Sequence, residues 1–243
     1  MLRPTNICMK RLLLVFLFLS PTLFAQIIQE PEPEKVYFSE ALAMHLDDYN
    51  KKADLAYRFR DYDKAEQLFD SLTNNLLEGS YMNDFEFHTL ARKNNTIRLS
   101  DFDKPVFLIT YASWCVPGKG QIPALNKLAN QFAGRIDFVV LFWDKKDKVE
   151  ELSSQFNEQI KVVYVDETKN NGAYVVKQLK HSLGLPTCFL MTADKRIADI
   201  RRSVFPAFNA AEETAYRENY QQMEASIANN LINKYEDDYV GNE

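Results

Sequence analysis

The chain is poor in the residues that build metal and phosphate sites, with three cysteines, three histidines and seven glycines among 243 residues. His45, His88 and His181 fall on separate predicted elements and make no spaced ligand set. A metal site needs three or four convergent donors, so no metal is expected. No glycine-rich phosphate loop occurs, and no cofactor is expected. A basic cluster is also missing. The formal net charge is −5, and the balance turns more acidic once Arg3, Lys10 and Arg11 at the start are set aside, which argues against nucleic-acid partners. Long apolar runs are lacking too. Leu12–Leu19, broken by Ser20 and Pro21, falls short of the ~20 residues that span a bilayer.

What is present describes a packed globular protein, with 46% hydrophobic and 13% aromatic residues. Residues 1–25 read as a secretory signal: Lys10 and Arg11 precede the apolar run, and Ala25 supplies a small residue at the cleavage point. Such a leader would place the mature chain in the periplasm or cell envelope, an oxidising compartment, with no membrane span. Cys8 would leave with the leader, so Cys115 and Cys188 would remain. Residues 26–35, polar and marked by Pro31 and Pro33, read as a linker.

Residues 36–80 carry two helical patterns. Leu42, Leu46, Tyr49, Ala53 and Ala56 recur at three and four, with Ser39 as N-cap, and Ala65, Leu68, Phe69, Leu72 and Leu76 follow the turn at Asp61. The pair resembles one tetratricopeptide hairpin, with Ala53 and Ala65 at the crossing. A single unit cannot cover its own apolar face, so packing on the rest of the chain or on a partner is expected.

Between residues 81 and 205, strand and helix patterns alternate. Tyr81–Phe87 and Thr96–Leu99 alternate as strands on either side of the polar turn Arg92–Asn95. Strands are predicted over Pro105–Tyr111, Ile136–Trp143, Ile160–Val165 and Ile197–Ser203, and helices over Lys148–Phe156 and Ala173–His181. Alternation of this kind gives a sheet covered on both faces. In residues 206–243, Asn209 reads as an N-cap ahead of a stripe of Tyr216, Tyr220, Met223, Ile227 and Leu231, and an acidic tail follows.

The stretch Ser113-Trp114-Cys115-Val116-Pro117-Gly118 lies between a buried strand and a helical pattern. A cysteine on the first turn of a helix meets unpaired amides and the positive end of the dipole, so the Cys115 thiol is expected to fall below its ordinary pKa. Packing as a small hydrophobe is the other reading of this residue. For Cys188, inside a predicted strand, core packing is favoured.

Trp114, Cys115, Pro117, Ile122, Pro123 and Leu125, together with Gly184-Leu185-Pro186-Thr187, resemble the thioredoxin superfamily and, within it, the TlpA/ResA-like thiol-disulfide oxidoreductases. The resemblance implies a thioredoxin-like α/β fold, a central mixed sheet flanked by helices, here with an N-terminal helical hairpin and a C-terminal helix. It implies that Pro186 is a cis-proline facing Cys115, with Leu185 and Thr187 beside a bound peptide. Two positions depart from the family pattern: Gly118 stands where the resolving cysteine belongs, and Gln121 where a glutamate belongs. Gly118 cannot attack a mixed disulfide. Gln121 cannot carry a proton to or from a thiol. Protein or peptide thiols and disulfides are therefore the expected partners, with Cys188 a candidate redox partner of Cys115. The chain reads either as a monothiol disulfide reductase or isomerase, or as a redox-inactive module that binds peptides.

Overall fold

The computed structural model describes residues 35–91, 96–115, 118–169, 173–202 and 211–232. The leader, most of the linker, the turn Arg92–Asn95, Pro117, the Asn209 cap and the acidic tail lie outside these residues.

Helix α1, Phe38–Arg58, starts one residue ahead of the expected Ser39 cap. Its cap is Tyr37, whose amide donates to Glu40 Oε2 at 2.8 Å, half of a capping box. The Ser39 amide is taken instead by Asn83 Oδ1. Helix α2, Tyr62–Leu72, begins where the sequence places it, with Asp61 Oδ1 accepting from the Lys64 amide at 3.1 Å. Ala53 and Ala65 are both buried.

Strands β1 (Glu86–Thr89) and β2 (Thr96–Arg98) form a hairpin. Asp84 fastens its ends, accepting from the Ser100 amide and hydroxyl and from Arg98 Nη1 at 2.9–3.0 Å. The sheet continues with β3 (Val106–Tyr111), β4 (Asp137–Phe142), β5 (Ile160–Tyr164), β6 (Thr187–Met191) and β7 (Ile197–Arg202), in the order β2-β1-β5-β4-β3-β6-β7. β3, β4 and β5 run parallel, and the other pairs are antiparallel, so the sheet is mixed as expected. Helices α3 (Gln121–Gln131), α4 (Lys146–Ser153) and α5 (Glu212–Ile227) accompany it. The helix expected over Ala173–His181 is α-helical only to Val175 and continues in wider π turns. α5 is capped by Ala211.

Because successive strand residues point to opposite faces, β3 and β4 feed two cores. Leu108, Val139 and Leu141 join Phe38, Leu42, Phe69 and Leu72 of the hairpin on one face. Phe107, Ile109, Tyr111, Phe138 and Val140 join Leu125 and Leu128 of α3 with Met223 and Ile227 of α5 on the other. Phe38 meets Phe189 edge-on, centroids 5.7 Å apart, which seats the hairpin directly on β6.

Candidate functional site

β3 and β6 lie antiparallel at the middle of the sheet with Thr110 opposite Thr187. The segment that follows Tyr111 and the segment that precedes Thr187 therefore leave the sheet at the same end. That register brings the Cys115 turn and the Pro186 loop together, although the residues are far apart in sequence.

The Cys115 turn is built by short-range bonds. The Cys115 amide donates to Ala112 O at 2.8 Å, and Asp144, just beyond β4, accepts from both the Ser113 amide (2.7 Å) and its hydroxyl (2.5 Å). Sequence reasoning missed Asp144. Its signal was the parallel pairing of β3 with β4, which carries Trp143 to Tyr111 O and leaves the next residue facing the turn. Trp114 is 68% exposed. Cys115 is a free, half-buried thiol packed against the core on the hairpin face, as Leu185 is.

One expectation is overturned here. Burial pushes the Cys115 thiol up, not down. The reason is that α3 begins only at Gln121, so Cys115 is not on a helical first turn, and the dipole's influence falls off within that turn. Gly118 O accepts from the Gln121 amide at 3.0 Å, and Gly120 takes a left-handed conformation with φ of 75° as the residue before the helix. The backbone of α5 lies against Gly120: a β-carbon there would come 2.3 Å from the Tyr216 nitrogen. Asn219, buried in α5, donates to Lys119 O at 3.3 Å. The start of α3 is thus set by a helix about a hundred residues downstream.

On the other side of the site the Leu185–Pro186 bond is cis, Leu185 is half-buried and Pro186 is buried. Thr187 is fully buried inside β6. Its amide donates to Thr110 Oγ1 at 3.3 Å, its carbonyl accepts from that hydroxyl, and its own hydroxyl donates to Gly184 O at 2.9 Å. Thr187 therefore fastens the loop to β3 and to Gly184. Leu185 retains an accessible position.

Gln121 and Cys188 come together, but away from Cys115. Both line a small cavity of about 10 Å³ beneath α5, together with Asn219 and Met223. Cys188 packs with the core on the α5 face, whereas Cys115 packs with the core on the hairpin face. The expectation that Cys188 sits in the core stands. Tyr111 shares the core on the α5 face with Cys188. Its buried hydroxyl has no hydrogen-bond partner among the described residues, and burial holds its ionisation far above the ordinary phenol range. Negative charge on Cys188 or Cys115 would push it higher still.

Among the described residues no group of three or more His, Cys, Asp or Glu side chains could hold a metal, and no helix is long and apolar enough to cross a membrane.

Residues 79–200 match the model of the AhpC/TSA family. The thioredoxin-like protein YneN of Bacillus subtilis is 25% identical over 126 residues, which cover 51% of this chain and 70% of that protein. Among solved structures, the thioredoxin domain of a thiol-disulfide oxidoreductase from Bacteroides vulgatus is similar with a TM-score of 0.45 and 20% identity, over 62% of this chain and 97% of that one. A thiol:disulfide interchange protein from Bacteroides sp. has a TM-score of 0.42 and 19% identity, over 59% and 88%. The family match begins just before the β1–β2 hairpin and ends in β7, so α1, α2 and α5 lie outside it.

Proposed function

Since the chain belongs to the AhpC/TSA family, we propose that it carries out thiol–disulfide exchange on proteins or peptides through Cys115 alone. The supporting observation is the register of β3 with β6, which sets a free, half-buried thiol at the end of the sheet where the Leu185–Pro186 loop emerges. An extended peptide lying along Leu185 would present its disulfide to Cys115. The Cys115 thiolate attacks one sulfur, the substrate S–S bond breaks, and the other sulfur leaves as a thiolate that takes up a proton. With Gly118 in place of a second thiol, the mixed disulfide persists until an external low-molecular-weight thiol, as its thiolate, attacks it and releases Cys115. Trp114, exposed beside the thiol, would form part of the rim that a substrate meets. The leader-like residues 1–25 support an exported protein acting in the cell envelope.

A raised thiol makes this chemistry slow at neutral pH. The protonated form is the neutral one, so a higher pKa leaves a smaller thiolate fraction at pH 7 than a free cysteine has, and reactivity increases through the alkaline range. The same observation favours a second reading, a peptide-binding module with little turnover. Alkylation of Cys115 between pH 5 and 10, followed by peptide mapping, should give a midpoint above the free-thiol value of about 8.5. Incubation with a disulfide-bridged peptide at pH 9 should give a Cys115 adduct. Absence of that adduct, with alkylation intact, overturns exchange in favour of binding.

A further inference from the structure

Arg202, the last residue of β7, joins the helical hairpin to the loop that carries Pro186. Its Nε donates to Leu183 O at 3.2 Å. Its Nη1 donates to the Tyr57 hydroxyl at 3.3 Å and its Nη2 to the Tyr49 hydroxyl at 3.2 Å. The guanidinium carbon stands 4.0 Å from the centroid of the Phe69 ring. Its backbone pairs with Thr187. One side chain therefore touches both helices of the hairpin and the loop, and only a planar fork of donors serves three acceptors in this way.

The loop is held at two successive carbonyls. Arg202 Nε donates to Leu183 O and Thr187 Oγ1 to Gly184 O, so the next residue, Leu185, is held at a fixed position at the end of the sheet that also carries the Cys115 turn. Apolar packing joins the hairpin to Ile197 and Ile200 of β7, and Arg202 adds polar contacts at the end of that strand. A cavity of about 740 Å³ opens between the hairpin and β7, with Arg202, Tyr57 and Phe69 in its wall. Across that gap the polar and cation–π contacts of Arg202 bridge the two parts.

We propose that Arg202 is a positioning residue that sets the peptide-accepting Leu185 segment and makes its placement depend on the helical hairpin. The inference rests on the exchange reading for its functional consequence, but the positioning itself can be tested apart from it. In the full-length protein, Arg202→Lys keeps the charge and loses the fork, and Arg202→Gln loses both. The rate of adduct formation at Cys115 is read by peptide mapping with two reagents, a disulfide-bridged peptide and the small aromatic disulfide 5,5′-dithiobis(2-nitrobenzoate), which needs no loop. Either variant should slow the peptide reaction about tenfold, equivalent to ~1.4 kcal/mol of lost positioning, and leave the small-reagent rate within about twofold. Equal slowing with both reagents, or no slowing, overturns the proposal.

Amide hydrogen exchange at Thr187, whose N–H at the foot of the loop donates to Thr110 Oγ1, supplies the independent measurement. It should accelerate about tenfold in Arg202→Lys, again ~1.4 kcal/mol, while β4 amides are unchanged. If the wild-type protein forms no peptide adduct yet the Thr187 amide responds, exchange fails and the positioning role stands. If the Thr187 amide does not respond, the positioning role is wrong whatever Cys115 does.

Discussion

The hairpin α1–α2 and the terminal helix α5 cover opposite faces of one sheet, and each grips a different half of the site by different means. The hairpin reaches the Pro186 loop through the tip of a long side chain, Arg202, beside an open cavity. α5 reaches the Cys115 side through its backbone, pressed against a glycine without a β-carbon. A side-chain tether tolerates partial loss, because its partners are several. Backbone contact does not, because neither side can move without shifting a whole helix. Both gripping elements lie outside residues 79–200, the stretch that matches the family, whereas the β3–β6 register and Asp144 lie inside it.

The largest test of that difference is Gly120→Ala. The new β-carbon would meet the Tyr216 nitrogen at 2.3 Å and its Cα at 2.4 Å, and alanine would have to hold a left-handed φ. Overpacking costs roughly 1–3 kcal/mol and the left-handed conformation roughly 1–2 more. A loss of about 3 kcal/mol or more in urea unfolding is expected, with α5 the first element to lose hydrogen-exchange protection. A loss below about 1 kcal/mol, on the same scale, would show that α5 is not tightly docked.

A smaller effect is expected at Asn219, which donates to both Lys119 O and Ala215 O from a buried position. Asn219→Ala should cost about 1–2 kcal/mol, since Lys119 O loses a partner at the docked surface. If α3 then gains a turn toward Cys115, the thiol should move down toward the free value. An unchanged alkylation midpoint would place the control of that thiol in burial alone.

The sequence made the architecture readable, and the site only in part. Apolar periodicity placed β3, β4, β5 and the hairpin because those patterns are local. Trp114, Cys115 and the Leu185–Pro186 pair singled out two loops by resemblance, and the β3–β6 register puts both at one end of the sheet. What stayed hidden depends on partners distant in the chain. The start of α3 is set by Tyr216 and Asn219, the Cys115 turn is clamped by Asp144, and the Pro186 loop is tied by Arg202 to Tyr49 and Tyr57. The assumption that a cysteine after a strand opens the next helix failed for this reason, and the expected direction of its thiol failed with it.

The finest test separates the two tyrosines on the hairpin side of the tether. Tyr57 is half exposed and water can replace its hydroxyl as an acceptor, so Tyr57→Phe should cost no more than about 0.5 kcal/mol and leave the peptide reaction nearly unchanged. Tyr49 is buried, with its ionisation raised by burial and partly offset by the charge of Arg202, so its hydroxyl has no such substitute. Tyr49→Phe should cost about 1 kcal/mol and slow the peptide reaction in the direction of Arg202→Lys. Combined with Arg202→Lys, Tyr49→Phe should add less than its single effect, because both remove one bond, whereas Tyr57→Phe, whose single effect is near zero, should show almost no coupling. Equal coupling of both tyrosines would mean that the tether acts as a rigid unit, like the docking of α5, and would erase the contrast between the two faces.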